Sequence, residues 1–463
     1  MKKFLLILAA LFSVAALSGQ DITGTWNGVL KVQGIQLRLV FHITKTDAGY
    51  SSTMDSPDQG AAGIPMTSAV YENNQLILKH DAATIVYTGE LKDGVVVGTF
   101  KQAGQSFPMD LKREAAEKVT VKRPQDPVQP YPYISEEVVF DNAPANARLA
   151  GTLTLPKTGG PFTVAILISG SGPQNRDEEL LGHKPFLVLS DYLTRNGIAV
   201  LRYDDRGTAS STGNFSLATT EDFATDAEAA IAYLKTRKEI NPEKIGLIGH
   251  SEGGVIAPLV ASRSKDVAFI VMMAGTGIPG STLLPLQSEL ISRAAGIPEA
   301  DRVKGQEINA RLFDMVAKSK DTEKLKAEVT TYLTRVVKDL PANEKPEGMS
   351  DEDLVKTQVS QLCSPWMIYF LNYDPIPALK KVKCPVLAIN GEKDLQVPPK
   401  ENLGPIKKAL KKNKSVTIIE FPGMNHLFQE CTTGSPNEYS QIEETLSPKM
   451  LKVVGEWVSD LAR

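Results

Sequence analysis

An α/β fold carried behind a small all-β domain is the architecture this sequence predicts, and three observations carry that expectation. Strand-like runs at residues 163–168, 199–203, 245–249, 267–274, 386–390 and 416–421 alternate with helix-like segments, the layout of a mostly parallel sheet covered on both faces. Between Gly280 and about Tyr373 that alternation stops and helical spacing takes over, which predicts an insert. Ahead of both, residues 21 to about 113 read as short strands separated by turns. A length of 463 residues accommodates two or three such domains. With 42% hydrophobic and 23% charged residues, the composition argues against disorder, a collagen-like fibre or a multi-span membrane protein.

Lys2 and Lys3 precede an apolar run over residues 4–17, followed by Ser18, Gly19 and Gln20, the layout of a secretory signal peptide at residues 1–20. The run holds about 14 residues where a membrane span needs about 20, so a cleaved signal is expected rather than a retained anchor. The expected product is periplasmic or secreted, with no stable membrane span once the signal is cut. Loss of the two lysines takes the net charge from -3 to -5. No cysteine near the cut offers a site for lipid attachment.

In the N-terminal domain, residues 21–115, Ile35, Leu37, Leu39, Phe41 and Ile43 alternate with Gln36, Arg38, Val40, His42 and Thr44, the period of a strand with one buried face. Further runs are separated by Asn73-Asn74 and Asp93-Gly94, which predicts an antiparallel sandwich or barrel of about 90 residues. Residues 116–134 contain Pro124, Pro127, Pro130 and Pro132 and read as a stiff linker. Residues 135–463 carry the α/β alternation. Within them, residues 220–235 read as a helix with acidic residues in its first turn. Leu325, Val329, Tyr332, Leu333 and Val336 recur at helical spacing inside the insert, residues 280–375. An insert there would cap the C-terminal edge of the sheet.

Directly after the strand at 245–249 comes Gly249-His250-Ser251-Glu252-Gly253-Gly254 and then an apolar helix-like run. A serine held at a tight strand-to-helix turn needs small neighbours, because its backbone is strained and the returning helix passes close to the strand; this is the mechanical sense of G-x-S-x-G. Ser251 is therefore the candidate nucleophile, against a turn serine that merely caps a helix. A serine hydroxyl needs a base, and the chain has five histidines. His42 and His80 fall in the N-terminal domain, and His250 adjoins Ser251 with its side chain expected to point away. His426, in a Gly-containing loop after the last strand, is the candidate base, with His183 as the alternative. Asp394, in Asn390-Gly391-Glu392-Lys393-Asp394, is the candidate acid that orients the imidazole, with Glu392 and Asp374 as competitors. The order Ser251, Asp394, His426 differs from that of the two best-known serine protease folds.

A tetrahedral intermediate needs N–H donors aimed at its oxygen. The backbone N–H of Glu252 is one candidate. The other comes from Ser169-Gly170-Ser171-Gly172-Pro173, with Ser171 or Gly172 as the donor. Gly275-Thr276-Gly277-Ile278-Pro279-Gly280 fits a dinucleotide fingerprint, but Pro279 removes an amide that a phosphate would use, so it reads as the exit from the sheet into the insert. No P-loop or H-E-x-x-H sequence occurs, and no cofactor or metal is called for. Fifty-one basic and 54 acidic residues with no long basic run leave no footprint for nucleic acid. Cys363, Cys384 and Cys431 are too scattered for a disulfide scaffold or a Cys-rich zinc site and read as small buried hydrophobes.

From about Glu136 onward, some 70% of the chain, the sequence resembles the α/β-hydrolase superfamily, close to bacterial secreted carboxylesterases and serine aminopeptidase-like hydrolases. The resemblance rests on Ile168-Ser169-Gly170-Ser171-Gly172-Pro173 with Asn175-Arg176-Asp177, Tyr203-Asp204-Asp205-Arg206-Gly207, the Ser251 turn, Ser364-Pro365-Trp366, Asp394-Leu395-Gln396-Val397-Pro398 and His426. It implies Ser251, Asp394 and His426 as a triad and carboxylic ester hydrolysis of a small-molecule acyl ester as the activity. Arg206 is expected to bond neighbouring loops. Ala209 stands where the family has glycine. A peptidase acting on amides is the nearest alternative. A polymer- or lipid-binding module on a hydrolase-like scaffold is an alternative of another class, since the N-terminal domain lies outside the resemblance.

Overall fold

The computed structural model describes residues 21–32, 35–47, 49–57, 61–102, 105–115, 123–341, 345 and 350–462. The expected signal and the first residues of the expected linker, 116–122, lie outside them. Two compact units divide the described residues, the first centred on 21–115 and the second on 123–340 and 350–462.

Strands β1 (Gly24–Val32), β2 (Ile35–Thr46), β3 (Gly49–Ser56), β4 (Ala61–Pro65), β5 (Ser68–Glu72), β6 (Gln75–His80), β7 (Ile85–Lys92), β8 (Val95–Gln102) and β9 (Gln105–Pro108) make one antiparallel sheet. Leu111 bridges to Val96 of β8 while Lys112 exchanges two backbone hydrogen bonds with Asn27 of β1, at 2.7 and 2.9 Å. The sheet is thereby closed on itself, which removes the free edges a barrel exists to avoid. Alternate residues fill its interior: Trp26, Phe41, Tyr87 and Phe100 are each at most 1% exposed.

The second unit begins with an element the hydrophobic pattern did not announce. The hairpin β10 (Ile134–Asn142) and β11 (Ala147–Leu155) adds two antiparallel strands to the edge of the α/β sheet. Then follow β12 (Phe162–Ile168), α1 (Pro185–Arg195), β13 (Ala199–Tyr203), α2 (Thr220–Leu234), β14 (Ile240–His250), α3 (Gly253–Ala261) and β15 (Phe269–Met273). The sheet order is β10-β11-β13-β12-β14-β15 and onward through β16 (Val386–Gly391) and β17 (Val416–Phe421), parallel from β13 on. Apolar side chains of α2, α3 and α10 (Pro399–Ala409) fill one face, and those of α1 and α11 (Pro448–Ala462) the other. Burial on both faces explains why these strands read as continuous apolar runs rather than alternating ones. Helix α2 begins at Thr220, as its charge pattern suggests, and ends at Leu234, one residue short of the expected Lys235; Thr219, just ahead of it, forms a reciprocal capping box with Asp222.

Six helices separate β15 from β16 among the described residues: α4 (Gly280–Ala294), α5 (Glu299–Lys318), α6 (Thr322–Asp339), α7 (Asp351–Leu362), α8 (Pro365–Asn372) and the short α9 (Ile376–Leu379). Leu325, Val329, Leu333 and Val337 form the buried stripe of α6, so Val337 rather than Val336 completes the period. Described residues of the proline-rich stretch are strapped to the second unit. The Arg123 guanidinium donates to the carbonyls of Leu181, Gly182, Ser440 and Ile442, and the Tyr133 hydroxyl to Asp191 at 2.9 Å.

Candidate active site

Parallel neighbours in a sheet send their C-terminal loops to the same edge. The loops after β12, β14, β16 and β17 carry, in order, Ser169–Gly172, Ser251, Asp394 and His426. Ser251 sits at φ 53°, the left-handed region a side chain occupies only at a cost of about 1–3 kcal/mol. Its amide is held by the Met273 carbonyl at 2.8 Å. The flanking glycines are sterically obligatory. A Cβ on Gly249 would stand 1.9 Å from the Gly253 carbonyl oxygen, and one on Gly253 would stand 2.0 Å from that of Ile168. The motif thus brings α3 against β12 and β14 and points the helix N-terminus at the Ser251 turn.

His426 donates from Nδ1 to Asp394 Oδ2 at 2.7 Å, with both residues at most 3% exposed. Asp394 Oδ1 accepts the amides of Gln396 and Val397, each at 2.8 Å, so the carboxylate is fixed from both sides. Its competitors are used elsewhere. Glu392 accepts the Gly423 amide at 2.8 Å, and Asp374 caps the start of α9 (Ile376–Leu379) through the Ile376 amide. The alternative base, His183, is a satisfied core histidine. It is fully buried between Thr445 Oγ1 and the Tyr439 carbonyl, and burial pushes its pKa down to about 4. In the first unit, His42 pairs with Asp55 at 2.8 Å and His80 contacts the Pro65 carbonyl at 2.9 Å.

Ser251 opens on a cleft of about 110 Å³ with a polar side that includes Ser171, Glu252 and Gln287 and an apolar side that includes Leu283, Trp366 and Phe370. Trp366 and Phe370 stack at 5.0 Å between ring centroids, so α8 supplies the aromatic side. Of the two loop residues considered as the second N–H donor, Ser171 lines this cleft. Gly172, at φ 98°, follows it. The Gly170 amide is committed to Glu178 Oε1 at 2.7 Å.

Several residues around the site escaped the sequence reading. The Glu252 carboxyl is buried and accepts both Thr220 Oγ1 at 2.7 Å and Trp366 Nε1 at 2.8 Å, tying α2, the Ser251 turn and α8 together; burial raises its pKa. Asp205 accepts Ser169 Oγ at 2.8 Å and the Gln174 amide at 2.9 Å, and burial, reinforced by the Glu252 and Asp226 charges, pushes it up to about 8. Arg206 forms a buried fork with Asp226, through Nε at 2.7 Å and Nη2 at 2.9 Å, and so anchors α2 rather than only loops. The side chain of His250 does turn from the Ser251 hydroxyl, and its partners are Glu178 and the His426 carbonyl. Glu178 carried no signal, standing between Asp177 and Glu179 in an acidic run.

Gly277 donates to Asn402 and Gly280 opens α4, so the glycine run after β15 is the exit into the insert. The thiols of Cys363, Cys384 and Cys431 are free, and burial raises each pKa, that of Cys384 to about 11.

Residues 185–338 match the family described as serine aminopeptidase, S33. Esterase EstD of Thermotoga maritima is 27% identical over 417 residues, covering 89% of this chain and 81% of that protein. Among solved structures, the Pyrococcus furiosus esterase Pf2001 aligns with a TM-score of 0.42 at 17% identity, over 72% of this chain and 94% of that one. Est1E of Butyrivibrio proteoclasticus, solved with ferulic acid, aligns with a TM-score of 0.40 at 17% identity, over 70% and 96%.

Proposed function

We propose that this chain, an α/β-hydrolase, is a serine hydrolase that cleaves carboxylic esters of small molecules through an acyl-enzyme. The observation that carries the reading is the buried 2.7 Å pair of Asp394 and His426 on the same sheet edge as Ser251, whose backbone is held in the left-handed region. With Nδ1 committed to Asp394, His426 Nε2 takes the Ser251 proton as Oγ attacks the acyl carbonyl. The oxyanion then draws on the Glu252 amide and on that of Ser171 or Gly172. His426 returns the proton to the leaving alcohol. Water, deprotonated by the same imidazole, releases the acid and restores Ser251.

Two observations support the ester reading. One side of the cleft, formed by Val255, Leu283, Leu284, Trp366, Phe370 and Val397, is apolar and can take an acyl chain. Glu252, the carboxyl among its lining residues, is occupied by Thr220 and Trp366 rather than offered to the ammonium of a peptide N-terminus. The relative of greatest coverage named above is an esterase, which agrees. The basic and apolar residues 2–17 support export to the periplasm or medium.

Turnover of short p-nitrophenyl esters by the wild type and by Ser251→Ala tests the nucleophile. A loss of several orders of magnitude is expected, and equal rates would sink the assignment. A matched ester and amide sharing one acyl group tests the bond type, and faster amide cleavage would reverse the ranking.

A further inference from the structure

The residue before the nucleophile is joined to two other loops of the site, and the atoms it meets restrict its protonation. His250 is buried; its Nδ1 lies 2.9 Å from Glu178 Oε1 and its Nε2 lies 3.0 Å from the His426 carbonyl oxygen. A backbone carbonyl only accepts, so Nε2 carries a proton. A neutral imidazole has one N–H, which would leave the Nδ1 lone pair facing a carboxylate oxygen. A second proton must therefore lie between Nδ1 and Glu178. Glu178 Oε1 also accepts the Gly170 amide, while its Oε2 is buried with no hydrogen-bond partner. A buried carboxylate so sparsely bonded needs a neighbouring positive charge. The backbone of Glu178 is itself held at φ 50°, the left-handed region, to bring the carboxyl under the loop.

We propose that His250 is a positioning residue that acts as an imidazolium, paired with Glu178, and that this one proton holds three loops of the site in register. The first is the Ser251 turn, of which His250 is part. The second is the loop after β12, gripped at Gly170, where a Cβ would stand only 3.3 Å from Ser251 Cβ. The third is the loop of the base, gripped at the His426 carbonyl.

The titratable and charged groups facing the ring are Glu178 from the loop after β12, Asp394 from the loop after β16 and His426 from the loop after β17, the last with ring centroids 4.9 Å apart. The remaining ring against it, Phe428, is uncharged. Burial works against the charged ring, and Glu178, the His426 carbonyl and Asp394 together outweigh it, raising the His250 pKa. The sign follows. The ring keeps its second proton below the raised value. The pair is lost as pH rises through the raised value, when the proton leaves to solvent and a ring lone pair is left against an oxygen.

The effect on turnover rests on the triad reading above; the protonation state of the ring does not. The test uses the full chain labelled with ¹⁵N-histidine, the His250 signals being assigned by their loss in His250→Gln. At about pH 7.5 both ring nitrogens of His250 are expected to carry protons. One proton should be lost at a higher pH, together with an alkaline fall in kcat/KM on a p-nitrophenyl ester. Glu178→Gln is expected to lower both midpoints by at least about one pH unit, with kcat falling more than KM changes. A singly protonated ring at about pH 7.5 in the wild type overturns the proposal, and that readout survives even if the variant fails to fold. An alkaline limb that stays in place while the ring titration moves overturns the positioning role. Activity retained by Ser251→Ala would defeat the triad reading and leave the ring assignment standing.

Discussion

Asp394→Asn separates the charge of the acid from its shape, and the structure dictates how the amide would sit. Oδ1 of Asp394 accepts two backbone amides, from Gln396 and Val397, and Oδ2 accepts His426 Nδ1. An asparagine placed with its NH₂ toward the two amides would set donors against donors. Its oxygen therefore takes that side and its NH₂ faces His426. The imidazole must then offer Nδ1 as an acceptor and carry its proton on Nε2, the nitrogen that should receive the Ser251 proton. The wrong tautomer with intact geometry costs about 10⁴-fold, or about 5 kcal/mol at 1.36 kcal/mol per decade. The assay is kcat/KM on a p-nitrophenyl ester near neutral pH, with a thermal melt to confirm that the fold is kept. KM should stay within a few-fold, because no substrate contact is removed. A loss smaller than tenfold, or an equal loss from Glu392→Gln, would refute the assignment of Asp394.

Gly249→Ala places a Cβ 1.9 Å from the Gly253 carbonyl oxygen, a backbone atom that no rotamer change can move. A destabilisation of about 3 kcal/mol or more is expected in denaturant unfolding, and an unchanged midpoint would show that the elbow is not packed as described. Asp205 binds a proton in the folded state up to about pH 8 that the unfolded chain releases near 4, so its contribution to stability falls as pH rises across that window. Asp205→Asn can keep both hydrogen bonds, since Ser169 Oγ can accept as well as donate. Its unfolding free energy should gain on that of the wild type from about pH 4 to 8, by at most about 1.4 kcal/mol per pH unit, and a constant difference would refute the raised value. Removal of residues 21–113 should leave turnover of small esters unchanged, because Ser251, Asp394, His426 and the cleft lining all lie in the second unit. A large fall in kcat would make the β domain part of the site.

Much of the fold could be read from local pattern because local pattern causes it. The parallel strands are apolar runs as they are buried on both faces, and the Ser251 turn carries glycines since any Cβ there meets backbone. The hairpin of β10 and β11 was harder to see: β11 is buried along almost its whole length but includes Gly151, Thr152 and Thr154, so it shows neither alternation nor a continuous apolar run. Val336 and Val337 both fit a helical stripe, and only the packing of α6 chooses between them.

The candidate site divides in the same way. Ser251, His426 and Asp394 could be picked out because each follows a strand, and strand order places such loops on one edge. His183 and His426 could not be separated by their surroundings in sequence; burial between Thr445 and Tyr439 separates them. Glu178 and His250 are 72 residues apart, and their pairing depends on β12 lying beside β14. The surface gives a parallel case. Lys380, Lys381 and Lys383 precede β16 while Lys412 and Lys414 precede β17, and the parallel pairing that sets Val386 opposite Val416 gathers all five around one cleft. Neither segment is a long basic run by itself.

What the sequence determined alone was most of the succession of elements, the β10–β11 hairpin excepted, the strained turn at Ser251 and the short list of groups able to act with it, because propensity, periodicity and glycine sterics operate over a few residues. What the tertiary structure decided was which carboxylate meets which histidine, which acids are buried and shifted, and what lines the cleft. Those are distances between residues far apart in the chain, and they exist only once the sheet has set its strands side by side.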